Sequence, residues 1–424
     1  MHVLSREKAS GCGCDDVAAG LVSIDEALDR ISRVTVPVSD IETVAPEVAA
    51  GRVLAQSVRA VGHVPPFDNA AMDGYAIRTR DLDGPGPWRL PITGRIAAGQ
   101  GDCPVLERGS AFQIFTGAQM PHGADAVVMQ EHVHRLGETV RIDHAPAALA
   151  HVRRTGEDMT KGRLIVPEGR RLTTRDIAAC AAAGVDTVRV CRPLRIALLV
   201  TGDEVARPGG PLGNAGIHDI NTPMLSAAIS AAGGTLCSTH TCADDRDAMR
   251  AELSALAPVA DLVVTTGGLS VGEEDHVKPA LADLDARIAF SGVAMKPGKP
   301  VSFGRLGSAL WLGLPGNPLA AYLTWTLFGP AILAALTNQC DWQPRRRIAR
   351  TARPMRRKPG RCELRLARLS GTDDFGRSIV QFEDATHSGR VSGLAKADGF
   401  ILVPSDADTL SEGALVEFQP FTDR

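Results

Sequence analysis

The stretch VVTTGGLSVGEEDHV, residues 263–277, runs from an apolar strand into a glycine turn and then into acids. Thr266, Gly267, Gly268 and Ser270 offer N–H and hydroxyl donors where glycine lets an anion approach the backbone closely. Glu273, Glu274 and Asp275 follow at once, and carboxylates beside a phosphate-type turn call for a cation between the two. LLVTGDE repeats the arrangement with Thr201, Gly202 and Glu204, and CADD places Asp244 and Asp245 after a third strand. Any one of these acids reads most simply as a helix cap, Asp244 or Asp245 above all, ahead of DAMRAEL. Glu204, Asp244 and Asp275 as a set, all just beyond strand ends of one sheet, read as hard-oxygen ligands of Mg²⁺ near a phosphate. In AMKPGKPVSFG, Lys296 and Lys299 flank a rigid Pro-Gly and suit an oxyanion as point charges, the bland alternative being two solvated surface lysines. In PPFDNAAMDGYA, Asp68, Asn69 and Asp73 lie among small residues, and physics alone reads a polar turn there. The chain has neither G-x-x-x-x-G-K-[ST] nor G-x-G-x-x-G after a strand, which argues against a P-loop nucleotidase and against a dinucleotide site.

These turns need a scaffold. From residue 193 onward, continuous apolar strands alternate with helical stretches: RIALLVTGDE, TPMLSAAISAAGG, TLCSTHTC, DDRDAMRAELSAL, ADLVVTTGG. That alternation predicts a doubly wound, mostly parallel sheet covered on both faces, with ligands beyond the carboxyl ends of its strands. Asn317 as N-cap and Pro318 as first residue predict a strong helix start in LPGNPLAAYLTWTLFGPAILAAL, buried or at a subunit interface because it is apolar nearly all round. Ser23 with Glu26 predicts a capping box on a helix over 23–33, APEVAAGRVLA predicts a second helix, and LTTRDIAACAAAG a third ending at Gly184. Residues 61–151 are dense in Gly and Pro and read as a β-rich subdomain; 21–60 with 152–192 read as an elongated linker subdomain; 193–340 is the sheet domain; 341–424 a C-terminal β-barrel; 1–20 a flexible tail. Between 345 and 368 ten arginines and Lys358 face one acid, Glu363, equally readable as steering an anionic ligand or as solvated strand faces.

Composition bounds the rest. Lys plus Arg is 46 against 49 Asp plus Glu, which argues against generic nucleic-acid binding. No apolar stretch is expected to reach the ~20 residues of a membrane span. Nine scattered cysteines without framework spacing and an N-terminus without an apolar core predict a reduced, cytoplasmic protein. Cys12 and Cys14 read as free thiols in the tail rather than a metal site.

PPFDNAAMDGYA, FTGAQMPHGADAVVMQE, RRTGED, LLVTGDEV, TTGGLSVGEEDHVK, AMKPGKPVSFG and LPGNPLAAYLT, in this order, resemble the molybdopterin molybdenumtransferase family (MoeA, and the E domain of gephyrin). The resemblance runs from about residue 20 to the C-terminus. It implies insertion of molybdenum into adenylylated molybdopterin with release of AMP, molybdate and the adenylylated pterin as substrates, Mg²⁺ as cofactor, and a homodimer of four-subdomain chains. A molybdopterin adenylyltransferase is the candidate protein partner. Carried over residue by residue, it implies Asp73, Thr116, Glu204 and Lys296 as catalytic, with Asp73 and Thr116 reaching the site across the dimer. Thr201, Gly202, Gly267, Gly268, Ser270, Lys299, Asn317 and Ser388 would bind substrate, and Asp244, Asp275 and Glu204 the metal. Two positions depart from the family: Gly292 and Leu366 stand where a basic residue is common, with Arg365 or Arg368 as possible substitutes for the second. These departures keep a binding paralogue or scaffold open, and the shared sheet keeps molybdopterin adenylyl transfer open.

Overall fold

The computed structural model describes residues 20–269, 275–384 and 391–421; Cys12, Cys14, Ser270, Glu273, Glu274 and Ser388 lie outside them. The sheet domain contains β1 (Leu194–Thr201), α1 (Asn221–Ala231), β2 (Gly234–Cys242), α2 (Arg246–Leu256), β3 (Leu262–Thr266), α3 (Val277–Asp283), β4 (Arg287–Ser291), β5 (Ser302–Leu306), β6 (Ala309–Leu314) and α4 (Pro318–Leu336). Strand order is β2-β1-β3-β6-β5-β4. The first four are parallel, and β5 and β4 each run antiparallel to their neighbour. The expected doubly wound, mostly parallel sheet is present. Seven of the eight residues of β1 are buried, because helices cover both faces, whereas edge strand β2 alternates exposed and half-buried positions between two buried ends.

One face of this sheet packs Ile196, Leu198, Val264 and Leu312 against α1, α4 and the helix Ile24–Val34. The other packs Leu199, Val263 and Trp311 against α2 and α3. The N-terminal helix therefore contributes Ile24, Ala27 and Ile31 to the sheet domain's core. Ser23 caps it by accepting from the Glu26 N–H at 3.1 Å, but the Glu26 carboxylate pairs with Arg30 one turn on, so only half of the expected capping box forms. The box is complete at Thr174–Ala182, between Thr173 and Asp176. The helix expected in APEVAAGRVLA is a single 3₁₀ turn, Pro46–Val48, because Gly51 and the bridges from Val53 to Arg171 and from Leu54 to Val190 end it.

Helix α4 overturns the expectation about length: its 19 residues are long and apolar enough to cross a membrane. Of its 18-residue apolar window 78% is buried within the protein, which is how the core helix of a sheet domain reads. Asn317 occupies its N-cap position without making a side-chain cap bond.

The β-rich region holds a six-stranded sheet over Gly74–Ile77, Trp88–Ile96, Ala111–Ile114, Ala126–Met129, Val133–Leu136 and Thr139–Ile142. At the C-terminus, Cys362–Thr372 pairs with both Ser378–Phe382 and Gly399–Val403, while Arg347–Thr351 and Leu415–Pro420 complete the ring. This closed five-stranded barrel is filled by Val380, Ile401, Val403 and Phe418. Its outward-facing Leu364, Leu366, Phe400 and Leu402 join the sheet domain's core.

Candidate active site

Strand register builds the site. Thr201 of β1 lies beside Cys242 of β2, Val200 beside Thr266 of β3, and Thr266 beside Leu314 of β6. The residues after each strand therefore emerge at one edge of the sheet. They line a cleft of about 420 Å³ that contains Thr201, Gly202, Glu204, Asp244, Gly267, Gly268, Asp275 and Asn317. Eight of the residues expected from the sequence thus share one cavity. Sequence reasoning missed Asp219 and Asn221, both 8% exposed and both part of its wall. The one hint was the polar pair in IHDIN just ahead of a helix.

The turns fit without room to spare. Gly267 has φ +96°, and a Cβ there would lie 2.4 Å from Thr201 Oγ1. A Cβ on Gly316 would lie 3.2 Å from the Gly267 Cα. At Gly267 both the positive φ and the Thr201 side chain call for glycine, and at Gly316 a side chain would crowd the Gly267 backbone.

The field at this end is negative. Burial first, and then Glu252, Asp244, Asp245 and Asp203, hold the Cys242 thiol above its ordinary value. The Asp244 N–H donates to Asp203 Oδ1 at 3.3 Å, and Asp245 caps α2 through the Ala248 N–H at 2.8 Å. Of the two acids read as possible caps, Asp245 takes that role and leaves Asp244 facing the cleft.

As a metal site, the donor set fits in one respect and not another. Glu204, Asp244 and Asp275 are hard-oxygen donors on one cleft. Among the described residues, however, no group of three His, Cys, Asp or Glu is close enough to hold an ion unaided. Mg²⁺ is ordinarily held by one or two carboxylates plus substrate phosphates and water, so an ion here would need substrate and water oxygens to complete its shell.

Lys296 and Lys299 do not line the cleft. Both are exposed, on the turn whose Pro300 forms part of its wall, and Lys296 lies beside Glu363 of the barrel. Asp73 and Thr116 are absent from the cleft's lining too, but they meet each other. Gly74 is paired with Ile114, so the residues flanking these strands come together. Thr116 donates its N–H and its hydroxyl to Asp73 Oδ1, at 2.8 and 2.7 Å. Those two bonds hold the Asp73 carboxyl below its ordinary range.

Three family models match consecutive parts of the chain: the MoeA N-terminal region (domain I and II) over residues 22–184, a probable molybdopterin binding domain over 197–334, and the MoeA C-terminal region (domain IV) over 348–421. The molybdopterin molybdenumtransferase of Haemophilus influenzae is 33% identical over 376 residues, 88% of this chain and 92% of that protein. The chain belongs to the MoeA family. The Bacillus subtilis molybdopterin molybdenumtransferase is 30% identical over 404 residues, 93% of each chain. A crystal structure of the MoeA protein from Pyrococcus horikoshii superposes with a TM-score of 0.80 at 26% identity, covering 95% of this chain and 100% of that one.

Within the MoeA family frame, the two departures have structural reasons. Gly292 has φ +99°, and a Cβ would lie 2.6 Å from Leu21 Cδ2, so a basic side chain there would be strained as well as crowded. Leu366 is 3% exposed in the core joining barrel to sheet domain. Arg365 does not substitute for the missing cation: it is 4% exposed and ion-paired with Glu363 at 3.3 Å. Arg368 is exposed.

Proposed function

We propose that this protein inserts molybdenum into adenylylated molybdopterin, releasing AMP and giving the molybdenum cofactor. The observation that carries the reading is the convergence of three carboxylates and two glycine turns at the carboxyl ends of adjacent strands. The glycine turns at 267–268 and 316 would hold the pterin phosphate through backbone N–H groups. Asp244, Asp275 and Glu204 would hold Mg²⁺, which when bound neutralises charge on the phosphate oxygens. Water attacks one phosphorus of the phosphoanhydride, the bridging oxygen leaves with the other phosphoryl group, and the water's proton passes to solvent. No protein nucleophile is needed. Molybdate is substrate, and Lys296 and Lys299 are the cations offered to it or to the leaving phosphate.

In the same proposal the enzyme works as a homodimer in which Asp73 and Thr116 of one subunit complete the cleft of the other. Their position outside the cleft's lining in their own chain supports this. Cys103, Cys180, Cys191, Cys237, Cys242 and Cys340 are free thiols, which supports a reducing, cytoplasmic setting. Adenylyl transfer is the weaker reading, because the family match extends over 22–184 and 348–421, beyond the sheet domain that such transfer needs. The decisive assay is AMP release from adenylylated molybdopterin with and without molybdate. Molybdate-dependent release is expected, and tight binding with no AMP release would make the protein a binder or scaffold instead.

A further inference from the structure

Asn221 stands at the start of α1, 8% exposed, between the two glycine turns. Its Nδ2 donates to Thr266 Oγ1 at 2.8 Å and to the Gly316 carbonyl at 2.7 Å. The Thr266 hydroxyl in turn donates to the Pro315 carbonyl at 3.1 Å. That chain of donors fixes the orientation of the carboxamide, since an oxygen facing the Gly316 carbonyl would repel it. One side chain thus ties the end of β3 to the turn after β6, at the place where Gly316 and Gly267 touch.

The arrangement has a cost. Asn221 Oδ1 is shielded from solvent and has no hydrogen-bond partner among the described residues. An orphaned buried acceptor offsets part of what the two donated bonds contribute, and a leucine would remove that orphan while leaving the Gly316 carbonyl without this donor. What the carboxamide supplies, and an apolar side chain of the same size cannot, is the tie between the two turns.

We propose that Asn221 is a positioning residue of this active site: it clamps the 266–268 turn to the 315–317 turn and so sets the spacing of the backbone donors that receive the substrate phosphate. The inference rests on the function proposed above and adds a residue to it. The clamp acts in the ground state and transition state alike, so its loss raises KM more than it lowers kcat.

The test uses full-length protein, with molybdopterin binding measured by anaerobic equilibrium dialysis, steady-state AMP release and thermal melts. Asn221→Leu is expected to melt somewhat below the wild-type temperature and, as folded protein, to bind molybdopterin roughly tenfold more weakly with a matching rise in KM. Thr266→Val, which removes one anchor of the clamp, is expected to weaken binding in the wild-type background and to add little in the Asn221→Leu background. Should the leucine variant not fold, Asn221→Ala carries the same prediction for binding. A folded Asn221→Leu protein with wild-type affinity and KM would overturn the proposal. Failure of the wild-type protein to bind molybdopterin would overturn the proposed function instead, so the two failures are distinct.

Discussion

Thr116 gives both its N–H and its hydroxyl to a single carboxylate oxygen of Asp73, 43 residues earlier in the chain. The pair holds an ionised carboxylate in fixed orientation at the end of two adjacent strands. The other oxygen of Asp73 takes neither of these bonds.

Asp73→Asn keeps the shape and one acceptor but removes the charge. AMP release should fall by roughly 10²-fold, in the range found when an oriented polar group is lost from an active site, while the melting temperature barely moves. Complementation tests the dimer. Mixed dimers of Asp73→Asn and Asp275→Asn chains should regain activity, because one cleft then has an intact Asp275 and receives an intact Asp73. Mixed dimers as inactive as either parent would place Asp73 in the service of its own subunit.

The magnesium proposal predicts that a chelator abolishes AMP release and that Mg²⁺ restores it. Asp244→Asn and Asp275→Asn should each lower the rate by roughly 10²-fold or more, as loss of several kcal/mol of Lewis-acid stabilisation requires. AMP release at the wild-type rate by Asp275→Ala would remove the metal from the mechanism.

Gly267→Ala would place a methyl group 2.4 Å from Thr201 Oγ1 on a backbone with φ +96°. The strain should cost about 1–3 kcal/mol, read by chemical denaturation. Molybdopterin affinity should drop further than the stability loss alone explains, since β3 and β1 must part to admit the group.

At the opposite end of the sheet, Asp261 does structural duty. It accepts from Arg192 at 2.6 and 2.7 Å, from the Arg195 N–H at 2.7 Å and from the Arg195 guanidinium at 3.2 Å. Burial pushes the Asp261 carboxyl up, but these donors outweigh it, and the net effect is below the ordinary 3.8. A depressed folded value means that the contribution is complete above the unfolded value and is lost as pH falls through the folded one. Asp261→Asn should therefore cost about 3 kcal/mol at neutral pH, leaving Arg192 half-buried without its main partner. The gap in melting temperature from wild type should close as the pH drops below about 4.

Much of the fold was legible because its signals are local. Continuous apolar strands, glycine turns and capped helices announce a parallel sheet within windows of a dozen residues, and such a sheet fixes where its ligands bind. Glu204, Asp244 and Asp275 could be named for that reason. The helix expected at APEVAAGRVLA failed because pairing of Val53 and Leu54 with distant segments outweighed local pattern. Asp73 and Thr116 came only through family resemblance, since nothing local says that two turns in a Gly-rich region will meet.

The sequence by itself determined the chemistry at the strand ends: which acids, which glycines, in which order. Tertiary structure alone decided which of those groups face a common cleft, that Leu366 is core rather than a vacant cation position, and that Asn221 spans two turns. Asn221 meets Thr266 and Gly316 across 45 and 95 residues of chain, respectively. Contacts over such distances depend on strand register and helix docking, which set relative positions to within an ångström, and no short window of residues encodes them.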